Sequence, residues 1–189
     1  NIRHFIRKHP DIYTPPYEGH FFTYKWSNGL EHYDNYFTEG NLKKIIADCS
    51  PDYIYSYEAH QRMFEILPEA KILITLRNPT DRFFSHYYMN KRKNIENREI
   101  ETIISDYLVN DDLNYQKFSK LQYHYVERGF YINQINNLLK YYPKDKILIL
   151  ILDDLCHNPK KELDKLSNFL DISLFKEEID MFCKNYINE

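Results

Sequence analysis

Residues 71–88 read KILITLRNPTDRFFSHYY and join a short apolar run directly to the start of a helix. The run Ile72–Leu76 is continuous rather than alternating, which is typical of a strand that is buried on both faces. After it, Asn78 can cap a helix, Pro79 suits the first helical position, and Asp81 places a negative charge in the first turn. The stretch therefore predicts a buried strand that runs straight into a helix.

The same two patterns recur along the rest of the chain. A second continuous apolar run at Ile147–Leu152 and a weaker one at Ile45–Ala47 predict further strands. Predicted helices cover Tyr57–Leu67, Pro79–Lys93, Ile100–Val109, Tyr115–Tyr142, Pro159–Leu170 and Leu174–Tyr186. Because strands that alternate with helices form parallel sheets with right-handed crossovers, the sequence predicts the α/β class, with a central parallel sheet flanked by helices.

Composition limits the classes of protein that this sequence can represent. The 189 residues, 43% hydrophobic and 16% aromatic, suit one globular domain over residues 1–189. The 25 Lys and Arg against 28 Asp and Glu give a net charge of −3, so no basic field predicts nucleic acid as a partner. No apolar run approaches the roughly 20 residues of a membrane span, and no signal segment opens the sequence. We expect a cytoplasmic domain without a membrane segment, and the sequence leaves the oligomeric state open.

Metal sites and disulfides are not indicated either. The three cysteines are widely spaced and form no CxxC pair, which argues against a disulfide framework or a zinc site. The eight histidines show no spacing typical of metal ligands. We therefore expect no metal, and we expect the cysteines to be free thiols.

The corner between the first predicted strand and its helix is a candidate anion site. Arg77 stands at the carboxyl end of the strand, where α/β folds place their ligands. Ser85 lies two helical turns beyond Asn78 and so on the same face of the helix. A guanidinium and a hydroxyl so placed can clamp a phosphate. The residues alone equally allow Arg77 to pair with a surface carboxylate and Ser85 to fill a small space.

This corner resembles the segment that binds the 3′-phosphate of 3′-phosphoadenosine 5′-phosphosulfate (PAPS) in the PAPS-dependent sulfotransferases, especially those of the carbohydrate and heparan-sulfate type. Other segments are similar to that family in order and spacing, so that the resemblance covers essentially the whole chain. They are His9–Ile12, Glu18–Phe22, Gly29–Phe37, Asp48–Tyr53, Arg128–Tyr131, Tyr142–Pro143, Ile147–Leu152, Asp153–Leu155, Asn158–Pro159 and Phe169–Leu170. The resemblance implies a three-layer fold like that of P-loop NTPases. It also implies sulfuryl transfer from PAPS, as co-substrate, to a hydroxyl of a carbohydrate acceptor, without a metal.

The resemblance also implies roles for individual residues. Glu18 would be the general base, and His20 would orient the acceptor or share the proton. Arg77 and Ser85 would hold the 3′-phosphate, and Arg128 would be a further contact to the nucleotide. The residues alone instead favour a solvated loop position for Glu18 and, for His20, a ring packed beside the two phenylalanines that follow it.

The sequence departs from the family pattern at three places. The family's Lys- and Gly-rich loop, which cradles the 5′-phosphosulfate, precedes a helix that here follows Asn1 directly, and a closing basic segment would follow Glu189. We therefore expect the domain to be incomplete at both ends. Cys49 occupies a position that is Lys in some members.

Two other functions are alternatives to sulfuryl transfer. A non-catalytic or partial module that binds a 3′-phosphorylated nucleotide without turnover is left open by the expected loss of the phosphosulfate loop. A nucleotide kinase is disfavoured, because the sequence has no Walker-type Gly-Lys-Ser/Thr loop.

Overall fold

A computed structural model describes residues 2–40, 42–109 and 123–175. The strands in these ranges are β1 Ile12–Tyr13, β2 Ile45–Ile46, β3 Ile72–Leu76 and β4 Ile147–Ile151. The helices are α1 Ile2–Ile6, α2 Phe21–Tyr24, α3 Leu30–Asp34, α4 Tyr57–Ile66, α5 Pro79–Arg92, α6 Ile100–Val109, α7 Tyr131–Leu138, α8 Leu152–His157 and α9 Pro159–Leu170. Among the described residues, no helix is both long enough and apolar enough to cross a membrane.

The strands pair in parallel, which confirms the predicted α/β class. β3 lies beside β4 with Ile72 opposite Ile147, and β1 lies beside β2 with Ile12 opposite Ile45. Each pair joins strands that are distant in the sequence, so the connections between them are crossovers that contain helices.

Burial along β4 differs from what its apolar sequence predicts. Leu150 is fully buried, but Ile149 and Ile151 are 37% and 39% exposed. Because side chains alternate between the two faces of a strand, one face of β4 is only partly covered by the described residues. The prediction that both faces are fully buried is therefore wrong for this part of the chain.

The chain divides into two compact units, residues 1–76 with 134–189 and residues 77–133. In the first unit, one core surrounds β4 and a second, aromatic core surrounds α2. The β4 core contains Phe5, Ile6, Ile12, Leu150, Leu152, Leu155, Leu163 and Leu166; the aromatic core contains Phe21, Phe22, Tyr33, Tyr36, Tyr53 and Ala59. The second unit has its own smaller core of Tyr87, Ile103 and Tyr125. Each unit therefore packs around side chains of its own.

The long helix predicted for Tyr115–Tyr142 is confirmed at residues 131–138 and is wrong at residues 123–130 and 139–142. Only α7 is helical there, preceded by a 3-10 turn at Glu127–Gly129. A β-carbon on Gly129 would lie 3.3 Å from the side chain of Pro79, so this turn packs closely on the start of α5. Tyr125, which falls within the predicted helix, instead lies outside any α-helix and in the core of the second unit.

Most other predicted helices are confirmed to within one residue at their ends. These are α4, α5, α6 and α9. Residues 115–122 of the predicted long helix lie outside the described residues. So does most of the helix predicted for Leu174–Tyr186, whose first two residues are not helical.

Candidate functional site

The loop that carries Glu18 and His20 is fixed by the helix that follows it. Phe21 and Phe22 are fully buried at the start of α2. His20 caps this helix in the left-handed conformation, with φ 53° and ψ 28°, which non-glycine residues rarely adopt. Its backbone N–H donates to Ser50 Oγ at 3.0 Å. Such a conformation persists where surrounding contacts hold it, and it is often found at functional sites.

The side chain of His20 lies between two carboxylates. Nε2 is 3.2 Å from Glu18 Oε2, and Nδ1 is 3.4 Å from Asp52 Oδ2. The structure therefore brings the predicted pair Glu18 and His20 into contact. A partly exposed carboxylate beside an imidazole can take a proton from a hydroxyl and share it with the ring. The sequence did not predict a role for Asp52, which lies within the family-like segment Asp48–Tyr53.

A further carboxylate, Asp48, stabilises the loop through the side chains of Ser50 and Tyr53. It accepts hydrogen bonds from Ser50 Oγ at 2.8 Å and from the Tyr53 hydroxyl at 2.7 Å. Burial raises the pKa of Asp48, although the bonds from Tyr53 and Ser50 and the nearby His20 oppose that rise. Ser50 thereby connects the backbone N–H of His20 to the Asp48 carboxylate through two hydrogen bonds.

The neighbouring thiol is not activated for chemistry. Burial raises the pKa of Cys49 to about 12, and the charge of Asp48 adds to the rise. Cys49 and Cys156 are partly buried thiols, and neither forms a disulfide within the described residues. Within the described parts of the chain, no three His, Cys, Asp or Glu residues are arranged to hold a metal ion.

The start of α5 forms as the sequence predicts. Asn78 caps the helix, its Oδ1 accepting from the backbone N–H of Thr80 at 2.9 Å, and Pro79 is the first helical residue. The remaining free N–H groups and the helix dipole make this end of α5 favourable for negative charge.

Arg82, near this end of α5, lies within electrostatic range of two other arginines of the second unit, Arg77 and Arg128. Burial lowers the pKa of Arg82, and the positive charges of Arg128 and Arg77 lower it further, while Tyr131 and Glu127 act in the opposite direction. The charges of Arg77 and Arg128 therefore both act on Arg82. Because like charges repel, a bound anion near Arg82 would stabilise these groups.

Arg82 is the arginine that sequence reasoning overlooked. Its guanidinium donates to the carbonyl oxygen of Tyr125, and its Nε is buried without a hydrogen-bond acceptor among the described residues. A signal was present in the sequence, because Arg82 stands in the first turns of α5, four residues after Asn78.

Ser85 lies on α5 two turns beyond the cap, as the sequence predicts, and its side chain is exposed. Its hydroxyl makes no hydrogen bond with any described residue. The hydroxyl is thus available to a ligand, although no arginine of the described ranges donates to it.

Comparison with protein families gives one match over most of the chain. Residues 18–189 match the model of the family described as "Sulfotransferase domain". A mouse relative named heparan sulfate glucosamine 3-O-sulfotransferase 6 is 24% identical over 88% of this chain and 46% of its own length. Membrane-associated sulfotransferase kil1 of Dictyostelium discoideum is 21% identical over 91% of this chain and 53% of its own. The chain thus spans about half the length of these relatives.

Solved structures show the same fold. The crystal structure of a sulfotransferase from Alicyclobacillus acidocaldarius superimposes with a TM-score of 0.79 at 24% identity, covering 95% of this chain and 79% of that one. The sulfotransferase domain from the curacin biosynthetic pathway gives a TM-score of 0.52 at 16% identity, over 79% of this chain and 46% of that one. This likeness confirms the fold expected from the resemblance.

Proposed function

Because the chain belongs to the sulfotransferase domain family, we propose that it transfers a sulfuryl group from PAPS to a hydroxyl of a carbohydrate. We also propose that residues 1–189 all belong to one such domain. The observation that carries the proposal is the cluster of Arg77, Arg82 and Arg128 near the start of α5. The names of the heparan sulfate relatives support a carbohydrate as the acceptor.

The donor side of the proposal rests on the arginine cluster. Arg77 and Ser85 would hold the 3′-phosphate and Arg128 would be a further contact to the nucleotide, since guanidinium groups bind phosphate through paired, charge-assisted hydrogen bonds. The buried Nε of Arg82 and the crowding of positive charge fit an anion at this place. PAPS supplies the sulfuryl group when it is bound. The charge of such a donor can be met by arginine and backbone N–H groups, so the proposal includes no metal.

The acceptor side rests on the contact between Glu18 and His20. Glu18 would accept the proton of the acceptor hydroxyl while that oxygen attacks sulfur. His20 Nε2, 3.2 Å from the Glu18 carboxylate, would orient the acceptor or share the proton. The side chains are 33% and 24% exposed, so an acceptor can reach both.

Nucleotide binding by the protein tests the donor side. We expect 3′-phosphoadenosine 5′-phosphate to bind at least about ten-fold more tightly than adenosine 5′-phosphate, because a hydrogen bond to a charged group contributes about 1.5–3 kcal/mol. Arg77→Ala should remove most of this preference in calorimetric titrations.

Arg92→Ala is the matched control, since Arg92 is an exposed arginine at the far end of α5. It should keep the full preference. Equal affinity of the unaltered protein for the two nucleotides would overturn the proposed phosphate site. Selective binding with no sulfate transfer would instead favour the non-catalytic module.

A further inference from the structure

We propose that Asp52 is a positioning residue that acts through His20, so that a proton taken up by Glu18 can pass to the imidazole. The inference rests on the proposed function and adds a third member to the pair that the sequence predicts. It arises from the position of His20, which has Glu18 on one ring nitrogen and Asp52 on the other.

The two carboxylates differ in access to solvent. The Glu18 side chain is 33% exposed, whereas that of Asp52 is 15% exposed. A hydroxyl acceptor can therefore approach Glu18 more readily than Asp52. This difference assigns proton uptake to Glu18 and the support of the ring to Asp52.

Asp52 is itself held in place. The Tyr24 hydroxyl donates to Asp52 Oδ2 at 3.2 Å, and the Tyr24 ring lies 5.6 Å from that of His20. On the opposite side, Ser50 binds the backbone N–H of His20. The titratable groups that face His20 are thus the two flanking carboxylates, Tyr24 and the more distant Asp48, whose pKa His20 lowers.

The proton on a neutral imidazole can occupy either ring nitrogen, and the partner of one nitrogen decides which. The Asp52 carboxylate, 3.4 Å from Nδ1, attracts a proton to that nitrogen, although Nδ1 makes no hydrogen bond to a described residue. Once Glu18 carries the proton of the acceptor, its O–H can donate to an unprotonated Nε2 3.2 Å away. The ring is in this way prepared to receive a proton from the Glu18 side.

The proton transfer balances without any other reactant. The acceptor O–H bond breaks as its oxygen bonds to sulfur, and the proton goes to a Glu18 oxygen. That O–H bond then breaks while an N–H bond forms at His20 Nε2, which restores the Glu18 carboxylate. The resulting imidazolium lies between two carboxylates, which stabilise its charge, and it later gives the proton to solvent.

Sulfate transfer by Asp52→Ala gives the first readout. We expect kcat to fall about 10- to 100-fold, as for carboxylates that orient histidines elsewhere, with both KM values within about two-fold of the unaltered protein. The control is Asp145→Ala, which removes an exposed carboxylate from the 3-10 turn before β4. It should change kcat by less than about three-fold.

Nitrogen NMR of the His20 ring gives a second readout that needs no activity. At alkaline pH, where an imidazole is uncharged, we expect a larger share of the ring proton on Nδ1 in the unaltered protein and in Asp145→Ala than in Asp52→Ala. An unchanged tautomer in Asp52→Ala, or an unchanged kcat, would overturn the role of Asp52 and leave the proposed function intact. If the unaltered protein transfers no sulfate, the proposed function fails, while the tautomer still reports whether Asp52 controls the ring.

Discussion

Replacing Glu96 by Gln tests the ion pair that supports the core of the second unit. Glu96 is 3% exposed, and its Oε2 lies 2.8 Å from Arg98 Nη2 and accepts from the Tyr125 hydroxyl at 3.1 Å. The carbonyl of Tyr125 accepts from Arg82, so this network also positions one of the clustered arginines. Gln has nearly the same shape but no charge, which isolates the electrostatic part of the interaction.

The expected loss follows from the shift in the Glu96 pKa. Burial would raise that pKa, but the hydrogen bonds and charge of Arg98 outweigh it and hold the pKa at about 2, against an ordinary value of 4.5. A shift of this size corresponds to about 3 kcal/mol. The Arg98 side chain is 32% exposed, so solvent screens the pair, and we expect Glu96→Gln to lose about 2 kcal/mol at neutral pH.

Urea unfolding followed by circular dichroism measures this loss at a series of pH values. The stabilisation is fully present above the unfolded pKa of 4.5 and disappears as the pH falls toward 2, so the two proteins should converge across that range. The control is Glu99→Gln, because Glu99 forms an exposed pair with Lys91; it should cost less than about 1 kcal/mol. A difference between Glu96→Gln and the unaltered protein that stays constant from pH 7 to about pH 2 would refute the electrostatic reasoning.

Two further predictions concern the first unit. Burial lowers the pKa of His60 to about 4, so stability should fall as the pH drops from 6.5 toward 4, and His60→Gln should flatten that slope in urea unfolding; an equal slope in both proteins would contradict the assignment. Leu150 is fully buried in the β4 core, and Leu150→Ala should lower the free energy of unfolding by about 2–5 kcal/mol. Leu42→Ala is its matched control, since Leu42 is 99% exposed and its truncation should cost little; similar losses for both would show that the β4 core is not packed as described.

The sequence predicted features that depend on local chemistry. The apolar runs became β3 and β4, and the cap at Asn78 with Pro79 set the start of α5 where expected. Periodicity failed where a distant contact decides the backbone, as at Gly129, whose turn packs against Pro79 and interrupts a helical pattern.

In the candidate site, too, the residues that share a local pattern were predicted and those brought together by folding were not. The Glu18–His20 pair could be predicted because both residues stand in one short segment that resembles a known family. Asp52 stands beside His20 only after folding, 32 positions away along the chain, and no local pattern connects the two. Arg82 lies near Arg128 because of the 3-10 turn that carries Arg128. The sequence predicted a continuous helix there and therefore did not predict this turn.

The most direct test of the proposed function is sulfate transfer from labelled PAPS to a heparan-type saccharide by the protein and by its Glu18→Gln variant. General base catalysis contributes about 10²- to 10⁴-fold, so we predict a fall in kcat of at least about 100-fold, with unchanged affinity for 3′-phosphoadenosine 5′-phosphate. Glu31→Gln, at an exposed glutamate of α3, should transfer at the original rate. Full turnover by Glu18→Gln would contradict the account and would move the base to another residue.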